Sequence, residues 1–301
     1  KIKEPVALSW EEADTTTVLK RPFDTTRFTG AVQGWNYVIE HESMSVELML
    51  KGNPGVHFMA LNQHAYDRED FSSLFTSDIA HNQHVADSLV DLLINSFQEM
   101  AAYCNRYKVR VVVITGMLRG KDFYFTDCGH DSTEAKAFGK KMENKFKNGY
   151  AIAYSEAPNT LYINSAGNLN LDIDIDSVRE MISFLHLPNI IIAGALYKDL
   201  HRSYDSNYGS KVDVLAPAHF PLRVAKFNYR WGQSTESAGT SAAAPVIANL
   251  AIQILELNPN LTAAQVKQLI IEGADKEPYE KGINIINPKK TIALLKQGCC
   301  F

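Results

Sequence analysis

The chain has 301 residues, 46% apolar and 21% charged, and its 30 basic against 34 acidic residues give a formal net charge of −4. This balance excludes a disordered chain, which combines low hydrophobicity with high net charge, and argues against a nucleic-acid binder, which carries a basic surface. The four cysteines, too few for a disulfide scaffold, lack the paired spacing of a structural zinc site; they are Cys104, Cys128, Cys299 and Cys300.

Short β-branched runs alternate with longer helical segments along the chain. The run at Val109–Ile114 is broken only by Arg110 and is expected to form a largely buried strand. The predicted strands are Val56–Leu61, Val109–Ile114, Leu161–Asn164, Asn189–Ala193 and Val212–Leu215, and the predicted helices are Ala86–Tyr107, Thr133–Lys147, Ile175–Leu187, Pro245–Leu257 and Thr262–Gly273. This alternation predicts an α/β fold with a mainly parallel sheet.

The domain organisation follows from what the sequence lacks. With no repeat and no Pro-, Gly- or Ser-rich linker, we expect one domain over residues 1–296 and a short tail over 297–301. No uninterrupted apolar run of about 18 residues predicts a membrane span. No signal peptide is visible after Lys1, which leaves secreted and cytoplasmic locations both open.

Two short motifs predict helix starts. Thr262 followed by Gln265 has the spacing of a capping box, and this interpretation is favoured over the glycosylation sequon that begins at Asn260. The small-residue run Gly239–Pro245 places Ser241 at the start of an apolar helix, where the helix dipole favours developing negative charge. A structural alternative makes Ser241 the N-cap of a buried helix.

The run Gly239–Pro245 closely resembles G-T-S-x-A-x-P, the nucleophile motif of the subtilisin-like serine peptidases, or subtilases. Downstream, residues 258–269 and 282–290 resemble the family's next helix and its closing strand with the start of the last helix. Upstream, Ser206–Pro217 is similar to the family's S-N-Y-G-x-x-V-D-V-x-A-P stretch. The resemblance implies a three-layer subtilisin-like fold, with helices on both sides of a mainly parallel sheet, and a serine endopeptidase with Ser241 as nucleophile.

A second motif implies the oxyanion hole. Leu161–Asn168 resembles the family strand that ends in A-A-G-N, whose asparagine donates to the oxyanion. The resemblance therefore implies Asn168 as the side-chain donor and Ser165, Ala166 and Gly167 as substrate-binding residues. The alternative is an ordinary turn asparagine after a glycine.

Two histidine positions compete for the general base. The run from His81 through His84 matches the family motif H-G-T-H-V-A-G more closely by letter, but only 36 positions separate His81 from Met117. His41 lies 76 positions before Met117, which leaves room for the helix, strand and second helix that the family places there. We therefore favour His41, and expect His81 and His84 to be exposed helix residues rather than a metal site.

The motif of the acid that orients the base also departs from the family pattern. Asp14 precedes Pro22 with the spacing of the family motif D-[ST]-G-x-x-x-x-H-P and is favoured over Asp24, which no clean strand precedes. The motif glycines are replaced by Thr16 and Glu42, which indicates either a different local backbone or a weakened or inactive relative.

The resemblance also implies a substrate-binding strand that ends at Met117, Leu118, Arg119 and Gly120, with an extended polypeptide as the substrate. Arg119 replaces a family glycine beside the expected specificity pocket, where it either narrows the pocket, favours an acidic side chain or points to solvent. The resemblance allows calcium as a cofactor, but no EF-hand-like loop exists and no cofactor or metal site is assigned.

Two other functions compete with the peptidase. The degenerate Asp and His motifs motivate an inactive subtilase-like domain, a pseudoprotease that binds a peptide or a protein. The absence of G-x-G-x-x-G and of G-x-x-x-x-G-K-[ST] speaks against an unrelated nucleotide-binding α/β protein. We expect no nucleic-acid partner, and the sequence leaves the oligomeric state open.

Overall fold

The computed structural model describes residues 8–9, 44–53, 56, 61–62, 78–115, 133–174, 186–197, 200–219, 222–226, 230–234, 239–276 and 283–298. Its helices are α1 (44–50), α2 (Ile79–Tyr107), α3 (Thr133–Glu156), α4 (Thr240–Leu257), α5 (Ala263–Gly273) and α6 (Pro288–Lys296). Its strands are β1 (Leu8–Ser9), β2 (Leu61–Asn62), β3 (Val111–Ile114), β4 (Leu161–Ser165), β5 (Ile190–Leu196), β6 (Val214–Pro217), β7 (Leu222–Lys226), β8 (Arg230–Ser234), β9 (Asp275–Lys276) and β10 (Asn284–Ile285).

A six-stranded sheet in the order β3-β4-β5-β6-β10-β9 forms the middle layer. All neighbours are parallel except β9, which runs antiparallel to β10. Strands β7 and β8, which follow β6 in the chain and precede α4, form a separate antiparallel hairpin. Strand β1 pairs in parallel with β2. The predicted parallel α/β fold is confirmed.

Alternating strand residues supply two hydrophobic cores. Tyr162 and Ile192 face a core that α2 and α3 cover, where Phe97 packs edge-on against Tyr150 with ring centroids 4.5 Å apart. Leu161 and its same-face neighbours on β4, β5 and β6 contact the other core, which α1, α4, α5 and α6 cover. The fold is therefore three-layered, because the central strands β4 and β5 bury both of their faces.

The predicted elements that lie within the described residues are found with shifted ends, whereas the predicted strand Val56–Leu61 is described only at its two end residues. Helix α2 begins at Ile79 rather than Ala86, because the Asp78 carboxylate accepts the N–H groups of Ala80 and His81 and caps the helix. The predicted helix Ile175–Leu187 lies almost wholly outside the described residues. Strand β3 is half-buried rather than buried, because it stands at the edge of the sheet formed by the described residues.

Helix α4 is the central helix of its layer. By length and composition it would suffice to cross a membrane, but 61% of it is buried against the sheet and its neighbours. It is therefore a core helix. Next along the chain, Thr262 and Gln265 form the predicted capping box at the start of α5.

Candidate active site

Ser241 lies at the carboxyl edge of the sheet, in the first turn of α4. Its side chain is 9% exposed, and its Oγ donates to the carbonyl oxygen of Thr115, directly after β3, at 3.3 Å. The N-cap of α4 is Gly239, which has no side chain to cap the helix. Ser241 is therefore not the N-cap of this helix, and its hydroxyl is not used to close the helix end.

Asn168 contacts the residue before Ser241. Its Oδ1 accepts hydrogen bonds from the Thr240 backbone N–H at 2.8 Å and from Thr240 Oγ1 at 3.0 Å. The Gly167 N–H donates to the same hydroxyl at 3.1 Å. Since a backbone N–H can only donate, the oxygen of the Asn168 amide must face Thr240, and Nδ2 is the atom of the amide that these contacts do not use.

Close packing between Gly239 and Asn168 explains one glycine of the motif. Gly239 has φ +89°, and a Cβ at this position would lie 2.7 Å from Asn168 Oδ1. Any side chain here would push the amide away from Thr240. The small-residue run therefore fixes the amide as well as starting the helix.

The three residues before Asn168 are enclosed by protein. Ser165 is 4% exposed and Ala166 is fully buried, so their side chains face the interior. The Ala166 N–H donates to the Ala193 carbonyl, and the Gly167 carbonyl accepts from the Asn207 N–H. Contact of these residues with a substrate stays a prediction.

Several predicted site residues lie outside the described residues: His41, Asp14, Asp24, Met117, Leu118, Arg119 and Gly120. The structure describes segments that lie near two of them in the sequence, His41 and Asp14. Helix α1 starts three residues after His41 and packs Met44 and Leu48 into the α4 core. Strand β1 precedes Asp14 and pairs with β2.

His81 and His84 occupy the first turns of α2, where both are exposed. Helix α2 packs on the face of the sheet opposite α4, and within the described part of the chain no hydrogen bond joins either histidine to Ser241. The same described ranges contain no group of three or more His, Cys, Asp or Glu residues placed to hold a metal ion.

Sequence reasoning missed two asparagines that organise this region. Asn249 on α4 donates through Nδ2 to the carbonyls of Leu48, Met49 and Lys51, at 3.1, 2.9 and 2.8 Å, and so ties the end of α1 to α4. The sequence signal for Asn249 was a polar residue inside an otherwise apolar helix. Asn207, part of the quoted S-N-Y-G stretch, holds the loop that carries Asn168.

A serine at a helix start, beside an exposed asparagine at the carboxyl edge of a parallel sheet, is the arrangement of a subtilisin-like α/β protein. The chain belongs to the subtilase family, whose sequence model matches residues 78–289. This match begins after His41 and Asp14.

The curated relatives that match this chain are proteases by name, and the match covers only part of each relative. Alkaline protease 1 of Aspergillus flavus is 31% identical over 147 residues, 46% of this chain and 31% of the relative. Alkaline serine exoprotease A of Vibrio alginolyticus is 27% identical over 229 residues, 74% of this chain and 40% of the relative. The chain thus spans less than half the length of these relatives.

Two solved structures share the fold. A structure of the subtilase cytotoxin assembly has a TM-score of 0.55 at 14% identity and covers 99% of this chain and 92% of its own. A lanthipeptide protease has a TM-score of 0.52 at 17% identity and covers 86% of this chain and 75% of its own. At these identities the likeness concerns the fold.

Proposed function

We propose that this subtilase is a serine endopeptidase in which Ser241 is the nucleophile, His41 the general base and Asp14 the residue that orients His41. The oxyanion hole consists of Asn168 Nδ2 and the Ser241 backbone N–H. The observation that carries the proposal is the Asn168–Thr240 pair of hydrogen bonds, at 2.8 and 3.0 Å, because it fixes the Asn168 amide against the residue before Ser241 and uses only the amide oxygen.

The electrostatics of the site suit acyl transfer. Ser241 and its N–H lie in the first turn of α4, where unpaired backbone N–H groups and the helix dipole stabilise negative charge. A preorganised donor is worth most where charge develops in the transition state. The fixed Asn168 amide meets this requirement without reorganisation.

The packing of α1 supports His41 over His81. Asn249 lies eight residues after Ser241, and Met49, one of its acceptors, lies eight residues after His41. Helix α1, whose first described residue is three residues after His41, therefore packs against the helix that carries Ser241. His81 starts a helix on the opposite face of the sheet.

In the proposed reaction the Ser241 Oγ forms a bond to the scissile carbonyl carbon while its proton passes to His41. The carbonyl oxygen becomes an oxyanion held by Asn168 and the Ser241 N–H. The C–N bond then breaks, and His41 returns the proton to the leaving amine. Water repeats the sequence on the acyl-enzyme and releases the acid.

Labelling by a fluorophosphonate tests the proposal, since the Oγ–P bond forms and fluoride leaves only at an activated serine. We expect wild type to label and Ser241→Ala and His41→Ala not to label. His81→Ala and Ser155→Ala, which change an exposed histidine and an exposed serine on other helices, are the matched controls and should label like wild type.

Three outcomes would contradict parts of the proposal. Labelling retained by Ser241→Ala would remove Ser241 as nucleophile. Loss in His81→Ala with retention in His41→Ala would reverse the choice of base. A folded wild type that does not label would favour the binding-only pseudoprotease, for which retained binding of an extended peptide is the readout.

A further inference from the structure

One buried side chain, that of Asn207, brackets the loop that carries Asn168. Asn207 is fully buried. Its Nδ2 donates to the Ala166 carbonyl at 2.8 Å, and its Oδ1 accepts from the N–H groups of Leu169 and Leu171 at 3.1 and 2.9 Å. These three bonds hold the chain on both sides of Asn168.

The backbone around Asn207 strengthens this attachment. Its own N–H donates to the Gly167 carbonyl at 2.8 Å, and the Asn170 N–H donates to the Asp205 carbonyl at 2.8 Å. Ser206 Oγ accepts from the Ala195 N–H at 3.0 Å and thereby joins the segment to β5. The exposed loop 168–170 is thus suspended from a segment that is anchored in the sheet.

We propose that Asn207 is a positioning residue for the oxyanion hole. Thr240 fixes the end of the Asn168 side chain, and Asn207 fixes the backbone from which that side chain extends. An oxyanion donor contributes through preorganisation, and a displacement of about 1 Å can cost about 100-fold in rate. This inference rests on the proposed function and assigns Asn207 no contact with substrate.

A matched residue separates positioning from simple stabilisation. Asn189 is also buried, at 3% exposure, and its Nδ2 donates to the carbonyls of Tyr154, Ala157 and Thr160 at 2.9, 3.3 and 3.3 Å. From the start of β5, Asn189 closes the turn that follows α3, at the opposite edge of the sheet. Removing either asparagine leaves buried backbone groups without their hydrogen-bond partner, but only Asn207 adjoins Asn168.

The test measures the fluorophosphonate labelling rate of the full chain in Asn168→Ala, Asn207→Ala, the double variant and Asn189→Ala, each shown to be folded by near-ultraviolet circular dichroism. We expect Asn168→Ala to slow labelling by about 10²–10³-fold, the loss known for this donor in subtilases. Asn207→Ala should slow it by about 10- to 100-fold. The double variant should label no more slowly than Asn168→Ala, and Asn189→Ala should keep the wild-type rate.

Multiplicative losses in the double variant would overturn the inference, because they would show that Asn207 acts independently of Asn168. A wild-type rate in Asn207→Ala, or an equal loss in Asn189→Ala, would also overturn it. If wild type itself does not label, the proposed function fails instead. A slowed Asn168→Ala beside an unaffected Asn207→Ala rejects only the positioning role.

If Asn207→Ala does not fold, the labelling rate of Asn207→Asp tests the inference instead. An aspartate keeps both acceptor contacts to the Leu169 and Leu171 N–H groups but presents an oxygen to the Ala166 carbonyl. When protonated, it regains the donor. We therefore expect its labelling rate, relative to wild type at each pH, to rise as the pH falls, whereas a flat ratio would overturn the inference.

Discussion

An asparagine holds the backbone at each edge of the sheet, but the two asparagines have different roles. At the amino edge, Asn189 donates to three carbonyls and closes the turn that follows α3. At the carboxyl edge, Asn207 both donates and accepts, around a loop whose central residue, Asn168, stays exposed. At the first edge Asn189 and the residues it contacts are buried, whereas at the second edge Asn168 stays exposed, as the residues of a binding site are.

Charged side chains at the amino edge also form contacts that are largely buried. At the amino edge, Asp213 pairs with Lys267 at 3.0 Å, with the side chains only 10% and 14% exposed, and accepts the Ile192 N–H at 2.8 Å. The Arg110 guanidinium donates to the Pro259 carbonyl at 2.7 Å. We infer that the amino edge carries stability and the carboxyl edge carries activity, and substitutions at each edge test this.

The largest effect is expected for Gly239→Ala at the carboxyl edge. The new Cβ would lie 2.7 Å from Asn168 Oδ1, at φ +89°, and must displace the amide. We expect the labelling rate to fall by about 100-fold or more. Gly298→Ala is the control, since it has φ +64° with no atom within 4 Å of the new Cβ. A Gly239→Ala variant that labels normally would break the link between this edge and activity.

The second effect is on stability, at the amino edge. Lys267→Ala leaves the Asp213 carboxylate buried without its cation, which should lower the free energy of unfolding by about 3 kcal/mol in urea titration. The labelling rate of the folded variant should not change. Lys290→Ala, which breaks the exposed pair with Asp275 at 3.4 Å, is the control and should cost less than about 1 kcal/mol. Equal losses in the two variants would contradict the difference in burial.

The smallest effect is expected for Thr262→Ala at the start of α5. The Thr262 hydroxyl accepts the Gln265 N–H at 3.2 Å, so its removal should cost about 1 kcal/mol in thermal unfolding, without change in labelling. Thr262→Ser keeps the acceptor and should restore most of the loss. A change in labelling rate would indicate that the two edges are coupled.

The sequence contained enough to predict the parallel sheet, the cap at Thr262, and the proximity of Asn168 to the Ser241 segment. Each depends on local periodicity, local spacing or a contiguous motif. Helix α3 shows the limit of periodicity, since it continues past the predicted end at Lys147 to Glu156. Its continuation is fixed by packing, because Tyr150 and Tyr154 on it are fully buried against the sheet.

The asparagines that organise the site could not be assigned from sequence. Asn207 lies 39 positions after Asn168, and nothing in either segment specifies which carbonyl or N–H the amide meets. Asn189 is similarly ordinary in sequence. Such roles arise from the registers of neighbouring strands, which tertiary packing determines. The choice between His41 and His81 depended on spacing and stays a prediction, because His41 lies outside the described residues.

The amide of Asn249 has a consequence for how the chain assembles. Its three bonds join residues 198 to 201 positions apart. Contacts this distant close a long loop, form late and slow folding. During synthesis, α1 cannot take its place against α4 until α4 has left the ribosome. The proposed nucleophile and the segment that follows the proposed base therefore meet in one late step, although they come from distant parts of the chain.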